Sequence, residues 1–201
     1  MSEDRQRWPG LFSPRANWVL RASLVAIALV GVGIVAGLMI YVRTPYITEQ
    51  NEIVPQPVDF DHRHHVVDDQ IDCLYCHHQA DEDAVAGMPS TALCMGCHAQ
   101  IWNDSPQIEP LRRAWFSGQP IAWNRVHDLP DFTYFHHGVH TRSGVGCTDC
   151  HGDVAAMAAV VQQEPLTMGW CLDCHREPHE HVRNPSGVPP RAPTHCTACH
   201  R

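Results

Sequence analysis

Residues 135–151 read FHHGVHTRSGVGCTDCH, and residues 171–175 read CLDCH. The two Cys-x-x-Cys-His runs have the attachment signature of c-type haem, in which both thiols bond to the haem and the adjacent His binds the iron. A six-coordinate iron needs a second axial ligand, usually His or Met. His137 and His140 follow Phe135 in a Phe-x-His-x-x-His run and are candidates for that role. Histidines three apart on a helical turn project in nearby directions, so this pair can bind two irons and hold two haems close together.

The same arrangement occurs earlier in the chain, within residues 60–98. His62 and His65 follow Phe60 with the same spacing, two Cys-x-x-Cys-His motifs come next, and a proline precedes the second motif in both regions. We therefore predict an internal duplication. The predicted haem domain, 60–201, comprises haem-pair units 60–98 and 135–175, a connector 99–134 and a fifth-haem segment 176–201.

All ten cysteines fall in five copies of the motif, and none is left for a disulfide framework. Zinc sites, a thioredoxin-like motif and a secreted disulfide scaffold are the alternatives for such cysteines. Five copies that all end in His favour five covalently bound haem c groups. The predicted attachment residues are Cys73, Cys76, Cys94, Cys97, Cys147, Cys150, Cys171, Cys174, Cys196 and Cys199, and the predicted proximal ligands are His77, His98, His151, His175 and His200.

Five irons need five distal ligands, and the two histidine pairs supply four of them. These four are His62, His65, His137 and His140. The predicted fifth is His127, which lies in the connector. Its competitors are His179, His181 and His195 near the last motif, and Met88, Met157 and Met168. A Met ligand raises the reduction potential of its haem relative to a second His.

An uncharged run of 21 residues, 22–42, precedes the haem domain. A helix of this length rises about 31 Å, which is enough to cross the hydrocarbon core of a bilayer. The run exceeds the apolar core of a signal peptide and does not end in a small-x-small site, so we predict a retained transmembrane anchor. Residues 1–21 are rich in arginine, which places them in the cytoplasm and the rest of the chain outside. Residues 43–59, with three prolines, are expected to form a linker.

The chain has no lysine and a formal net charge of −8. From Thr44 onward, 20 acidic residues and 9 arginines give −11. An acidic face disfavours nucleic acid and suits a basic docking partner, although solubility alone explains the same charge.

Because apolar residues are few outside 22–42, we expect the haems to form much of the core, with short α-helices, long loops and little β-structure. The Ala- and Val-rich residues 154–163 predict a helix.

Taken together, these motifs resemble the membrane-anchored pentahaem cytochrome c subunit of alternative complex III. The shared features are the single anchor, both Phe-x-His-x-x-His runs, residues 94–98 followed by Ile101-Trp102, residues 125–132 and residues 168–171. The resemblance implies an electron-transfer subunit of a quinol-oxidising complex with iron–sulfur and polytopic membrane subunits. It also implies a periplasmic acceptor such as a monohaem cytochrome c or a copper protein. Small class III cytochromes share the Phe-x-His-x-x-His device, so those runs alone indicate only the cytochrome class.

Two other functions compete with an electron carrier. A multihaem reductase keeps an open iron position, often with lysine as the proximal ligand, whereas this chain has no lysine and eleven histidines beyond its five motifs. A stand-alone membrane-anchored quinol dehydrogenase is compatible with the anchor. We expect a carrier without catalytic residues, held at the inner (cytoplasmic) membrane with its haem domain in the periplasm.

Overall fold

The structure, a computed structural model, describes residues 14–178, 182 and 191–200. The chain divides into two compact units, Met1–Ile47 and Thr48–Arg201. The first unit is built on helix α1, Pro14–Tyr41, and is followed by the short helix α2, Pro45–Thr48. Proline suits the first position of a helix, where its missing N–H costs nothing. Residues 15–41 form a helix long and apolar enough to cross a membrane.

The second unit consists of short helices and loops, with no strand among the residues that the structure describes. Its α-helices are α3 Cys73–Cys76, α4 Thr91–His98, α5 Glu109–Ser117, α6 His137–Arg142, α7 Cys147–His151, α8 Met168–Arg176 and α9 Cys196–Cys199. Turns of 3₁₀ helix lie at His78–Asp81, Pro106–Ile108 and Val154–Ala156, and a π-helical turn lies at Arg63–Asp68. The predicted combination of short helices and little β-structure is confirmed for this part of the chain.

Each attachment motif lies on a short helix that begins just before or at its first cysteine. Asp72 caps α3 by accepting a hydrogen bond from Leu74 N at 2.8 Å. Ser90 caps α4 and Thr167 caps α8, each through a hydroxyl that accepts a backbone N–H at 3.4 Å. Because residues three apart share one face of a helix, the two thiols of each motif point the same way.

The predicted helix over residues 154–163 is wrong beyond its first turn, which ends at Ala156. Gln162 is buried, and its side-chain amide donates to Thr48 O at 2.9 Å. Its carbonyl accepts the N–H of Asn51 at 2.8 Å. These bonds tie the stretch after Ala156 to a distant segment, and such tertiary contacts override the helix propensity of its Ala residues.

The polypeptide itself buries very few apolar side chains. In the described part of the chain, those that are buried are Met95, Ile108, Leu111 and Ala114. Met95 of α4 packs on Ile108 and on Leu111 of α5, so the connector is an ordered segment tied to the first haem-pair unit. A domain of this size normally buries roughly two-thirds of the surface that its unfolded chain exposes. Four side chains cannot form such a core, and the interior therefore requires a further apolar body.

Candidate haem centres

The second haem-pair unit holds its two candidate distal ligands against one phenylalanine. The ring of Phe135 stacks on His140, with centroids 4.4 Å apart and planes at 26°. The same ring meets His137 edge-on, at 4.7 Å and 89°. One aromatic side chain therefore fixes both imidazoles, in planes that differ by roughly a right angle.

The first haem-pair unit, residues 60–98, repeats this geometry. Phe60 stacks on His65 at 4.5 Å and 25°, and it meets His62 edge-on at 4.7 Å and 83°. The distances and angles agree with those of the second unit, although the first run continues into a π-helical turn and the second into an α-helix. The duplication predicted from spacing is thus also a duplication of local structure.

Three of the candidate distal ligands face a candidate proximal ligand at nearly the same distance. His65 faces His98 at 6.1 Å, His137 faces His151 at 6.3 Å and His140 faces His175 at 6.0 Å. Two imidazoles bound on opposite sides of one metal, each through a bond of about 2 Å, have ring centres roughly 6 Å apart. Each pair therefore leaves space for one iron between its rings.

The fourth candidate distal ligand, His62, lies near His77. Burial, together with the neighbouring rings of His77 and His65, lowers the pKa of His62 to about 4. In the second unit the first histidine of the run faces the first motif, and the second histidine faces the second motif. The proximity of His62 to His77 follows the same order.

Six candidate ligands donate their Nδ1–H to a backbone carbonyl. The bonds run from His65 to Asp61 (3.2 Å), His98 to Ile101 (3.1 Å), His137 to Ala84 (3.0 Å), His140 to His136 (2.8 Å), His175 to Pro193 (2.7 Å) and His200 to Phe132 (3.1 Å). A carbonyl oxygen can only accept, so Nδ1 carries the proton and Nε2 keeps its lone pair. Metal-binding histidines are commonly oriented in this way.

Burial also sets the protonation state of the site. It lowers the pKa of His151 to about 4 and lowers the pKa values of His127 and His140, which keeps these rings neutral and able to bind a metal at pH 7. It raises the pKa of the Cys150 thiol to about 11. A thiol with a raised pKa is unlike the low-pKa thiolates of a redox centre.

The structure brings His127 to the third motif. Its ring lies edge-on to His151 at 4.4 Å and 76°, which is too short for two ligands on opposite sides of one iron. Its buried Nε2 has no hydrogen-bond partner among the described residues, as expected of an atom that binds a metal. The role of His127 as the fifth distal ligand stays a prediction.

The fifth motif is attached to the end of the connector. Tyr134 N donates to Cys199 O at 2.8 Å, and the ring of Phe132 lies 5.8 Å from that of His200. Among the alternatives to His127 as the fifth distal ligand, three side chains are exposed, namely His195, Met88 and Met168, and Met157 is half-buried. His179 and His181 lie outside the described residues.

An open apolar groove runs beside Cys94, lined by Met88, Trp115, Ile121 and Trp123 among others. Its walls suit a flat apolar group bonded to that cysteine. The described residues thus fit covalent haem on four counts: paired thiols on helical turns, neutral histidines that face each other at about 6 Å, fixed tautomers and an interior that lacks apolar side chains.

The sequence gives no sign of the carbonyl acceptors, because every residue type has a carbonyl. Ala84, for example, lies far from His137 in the chain, and nothing marks it as its partner. Gly138, unlike these carbonyl acceptors, does have a signal in the sequence. A glycine between two predicted ligands on a helical turn indicates a close backbone approach, and the motif analysis did not use it.

These features define a multihaem cytochrome with c-type attachment sites. A model of the class III cytochrome C family matches residues 42–128, and a model of cytochrome c7 and related cytochrome c matches residues 133–201. These two matches support a multihaem cytochrome c of the class III and c7 type. Such cytochromes carry covalently bound haem c and transfer electrons.

Among curated proteins, the chain is similar to the multihaem cytochrome c subunit of menaquinone reductase from Nitratidesulfovibrio vulgaris, strain Hildenborough. The two are 28% identical over 168 residues, which cover 73% of this chain and 77% of the relative. The similarity therefore extends over most of both proteins.

Proposed function

We propose that this chain is the membrane-anchored electron-transfer subunit of a quinone-linked oxidoreductase complex and that it carries five haem c groups. The observation that carries this proposal is the set of three facing histidine pairs, 6.0–6.3 Å apart. When bound, haem supplies reversible one-electron chemistry at iron. The chain would contribute paired thiols for attachment and two imidazoles for each iron, and backbone hydrogen bonds orient six of these rings.

The proposed axial pairs follow the order seen in the second unit. They are His62 with His77, His65 with His98, His137 with His151 and His140 with His175, and His127 is kept as the proposed fifth distal ligand. An iron held between two histidines keeps no open position for a substrate. This supports a carrier over a reductase, because a reductase needs at least one such position.

The proposed location is the inner membrane, with the haem domain on the periplasmic side. Helix α1 has the length and apolar character of an anchor. Arginines precede and flank its apolar run, which favours a cytoplasmic N-terminus. The acidic charge after Thr44 suits a basic redox partner, such as a monohaem cytochrome c or a copper protein.

The direction of electron flow has two candidates. The motifs resemble the pentahaem subunit of alternative complex III, which belongs to a quinol-oxidising complex. The relative from Nitratidesulfovibrio vulgaris is named as a subunit of menaquinone reductase, which points to electrons passing to quinone. The resemblance to alternative complex III implies iron–sulfur and polytopic membrane partners, and the relative's name supports a complex that acts on menaquinone.

The test is to isolate the full chain through an affinity tag from its native membranes in mild detergent. We expect larger membrane and iron–sulfur subunits to co-purify, a haem-to-chain ratio of five, and low-spin haem only in the EPR spectrum. Adding quinol to the oxidised complex, or quinone to the reduced complex, and following the haem absorption band then assigns the direction. Isolation of the chain alone contradicts the complex-subunit proposal. A high-spin haem favours a reductase or a stand-alone quinol dehydrogenase.

A further inference from the structure

The histidine-bearing helix of the second unit docks on a segment of the first unit. Residues 80–84, which come shortly after His77, surround the first turn of α6, and three donors of that helix bond to three of their carbonyls. The bonds are His137 N to Ala84 O (3.2 Å), Gly138 N to Asp83 O (3.0 Å) and Thr141 Oγ1 to Ala80 O (3.2 Å). Two of the orphan N–H groups at the start of α6 are thus satisfied by the first haem-pair unit.

One carbonyl of this segment fixes both the backbone and the ring of a candidate ligand. Ala84 O accepts the backbone N–H of His137 at 3.2 Å and its ring Nδ1–H at 3.0 Å. The first bond locates the Cα atom, and the second sets the tautomer and the rotation of the ring. The direction of Nε2, the ring nitrogen left free to bind a metal, therefore depends on where residue 84 lies.

Gly138 is what allows the segment to come so close. It is buried, and a Cβ atom built on it lies 2.8 Å from Glu82 O and 2.9 Å from Asp81 O. Both atoms belong to backbone, which cannot move aside as a flexible side chain can. Any other residue at 138 therefore pushes residues 81–82 and the first turn of α6 apart.

The neighbouring ligand does not share this dependence. His140 Nδ1 donates to His136 O at 2.8 Å, an acceptor four residues earlier in its own run. A displacement of residues 80–84 relative to α6 thus changes the support of His137 and leaves the ring support of His140 in place. The effect is expected to be confined to one iron.

We propose that residues 80–84 together with Gly138 form a positioning site through which the first haem-pair unit orients His137 and so sets the coordination of the third haem. The inference rests on the proposed function in one respect, namely that His137 binds iron. Gly138 and the three carbonyl-bearing residues are positioning residues, since they act through His137.

The test uses the haem-loaded full chain in detergent with Gly138→Ala and Gly138→Val. We expect Gly138→Ala to shift the EPR g-values and the midpoint potential of one haem, and Gly138→Val to convert that haem from low to high spin. The haem-to-chain ratio should stay that of the wild type. Gly169→Ala is the matched control, because no atom lies within 4 Å of a Cβ at that helical glycine.

Wild-type spectra and potentials in both Gly138 variants overturn the inference. If neither variant accumulates, Thr141→Val tests the inference instead. This substitution removes only the hydrogen bonds that the Thr141 hydroxyl donates to Ala80 O and to His137 O. A shift in one midpoint potential supports the positioning role, and unchanged potentials exclude it. Failure of the proposed function has a different signature: the wild-type protein itself then lacks five low-spin haems.

Discussion

The two haem-pair units place their phenylalanine and both histidines alike but hold the first histidine of each pair differently. In both units the second histidine, His65 or His140, donates its Nδ1–H to the carbonyl four residues earlier. His137 donates to Ala84 of the other unit, whereas the buried Nδ1 of His62 has no partner in the described part of the chain. The second histidine is thus supported within its own run in both units, whereas, among the described residues, the first is hydrogen-bonded to the other unit only in the case of His137.

The contacts between the units are reciprocal. Helix α6 packs on the turn His78–Asp81, and the π-helical turn Arg63–Asp68 packs on the turn Val154–Ala156. Each histidine run therefore meets the turn that follows the first motif of the other unit. The two contacts differ where Gly138 aligns with Arg63, because a side chain there prevents the backbone approach that glycine allows.

The largest expected effect tests a feature that both haem-pair units share, which is the second histidine of the Phe-x-His-x-x-His run as a distal ligand. In His65→Ala and in His140→Ala, one ring of a facing pair is lost, so each variant should convert one of the five haems from low to high spin. EPR and optical spectra of the purified full chain measure this change, and the two variants should be affected to a similar extent. His64→Ala is the control, since His64 lies next to His65 but is exposed. Five low-spin haems in both variants contradict the assignment.

Motif spacing was sufficient to predict the features that local chemistry determines. A Cys-x-x-Cys-His run and a Phe-x-His-x-x-His run each lie within one helical turn or its immediate approach, so their geometry does not depend on distant residues. The duplication and the scarcity of strands followed from the same local evidence. The ligand assignments stay predictions until the irons are observed.

Features that depend on distant backbone atoms could not be predicted. Beyond Ala156, the predicted helix over residues 154–163 gives way to a stretch in which Gln162 bonds to Thr48 and Asn51, which lie more than a hundred residues earlier. Likewise, no pattern connects Ala84 to His137, since the bond uses a carbonyl that every residue has. Sequence reasoning therefore located the histidines but not their supports.

An intermediate effect is expected at the helix caps, which again test the equivalence of the units. Ser90→Ala and Thr167→Ala each remove a hydroxyl that accepts a backbone N–H at 3.4 Å. Loss of such a cap typically costs about 1 kcal/mol. Chemical unfolding of the haem-loaded chain should show similar losses in the free energy of unfolding. Ser90→Gly is the control, because glycine at this position costs only a few tenths of a kcal/mol. A loss in one unit alone would mean that the caps are not equivalent.

The smallest expected effect concerns the residue that precedes the first histidine, which is Asp61 in one unit and His136 in the other. The hydrogen bond from Arg63 lowers the pKa of Asp61 from 3.8 to about 2, and the two side chains are 2.6 Å apart. A carboxyl whose pKa is lower in the folded state stabilises that state above its unfolded pKa and loses the effect as the pH falls towards the folded value.

The difference in melting temperature between wild type and Asp61→Asn should therefore be small and constant near pH 6, and it should shrink from about pH 4 to about pH 2. Asp61→Asn in an Arg63→Gln background is the control, because the ion pair is already absent there. Added salt should also reduce the difference, since the Arg63 side chain is half-exposed and Asp61 is not fully buried. An equal difference in melting temperature at pH 2 and pH 6 would show that Asp61 stabilises its unit through packing or its backbone. The ion pair with Arg63 would then not be a feature that distinguishes the two haem-pair units.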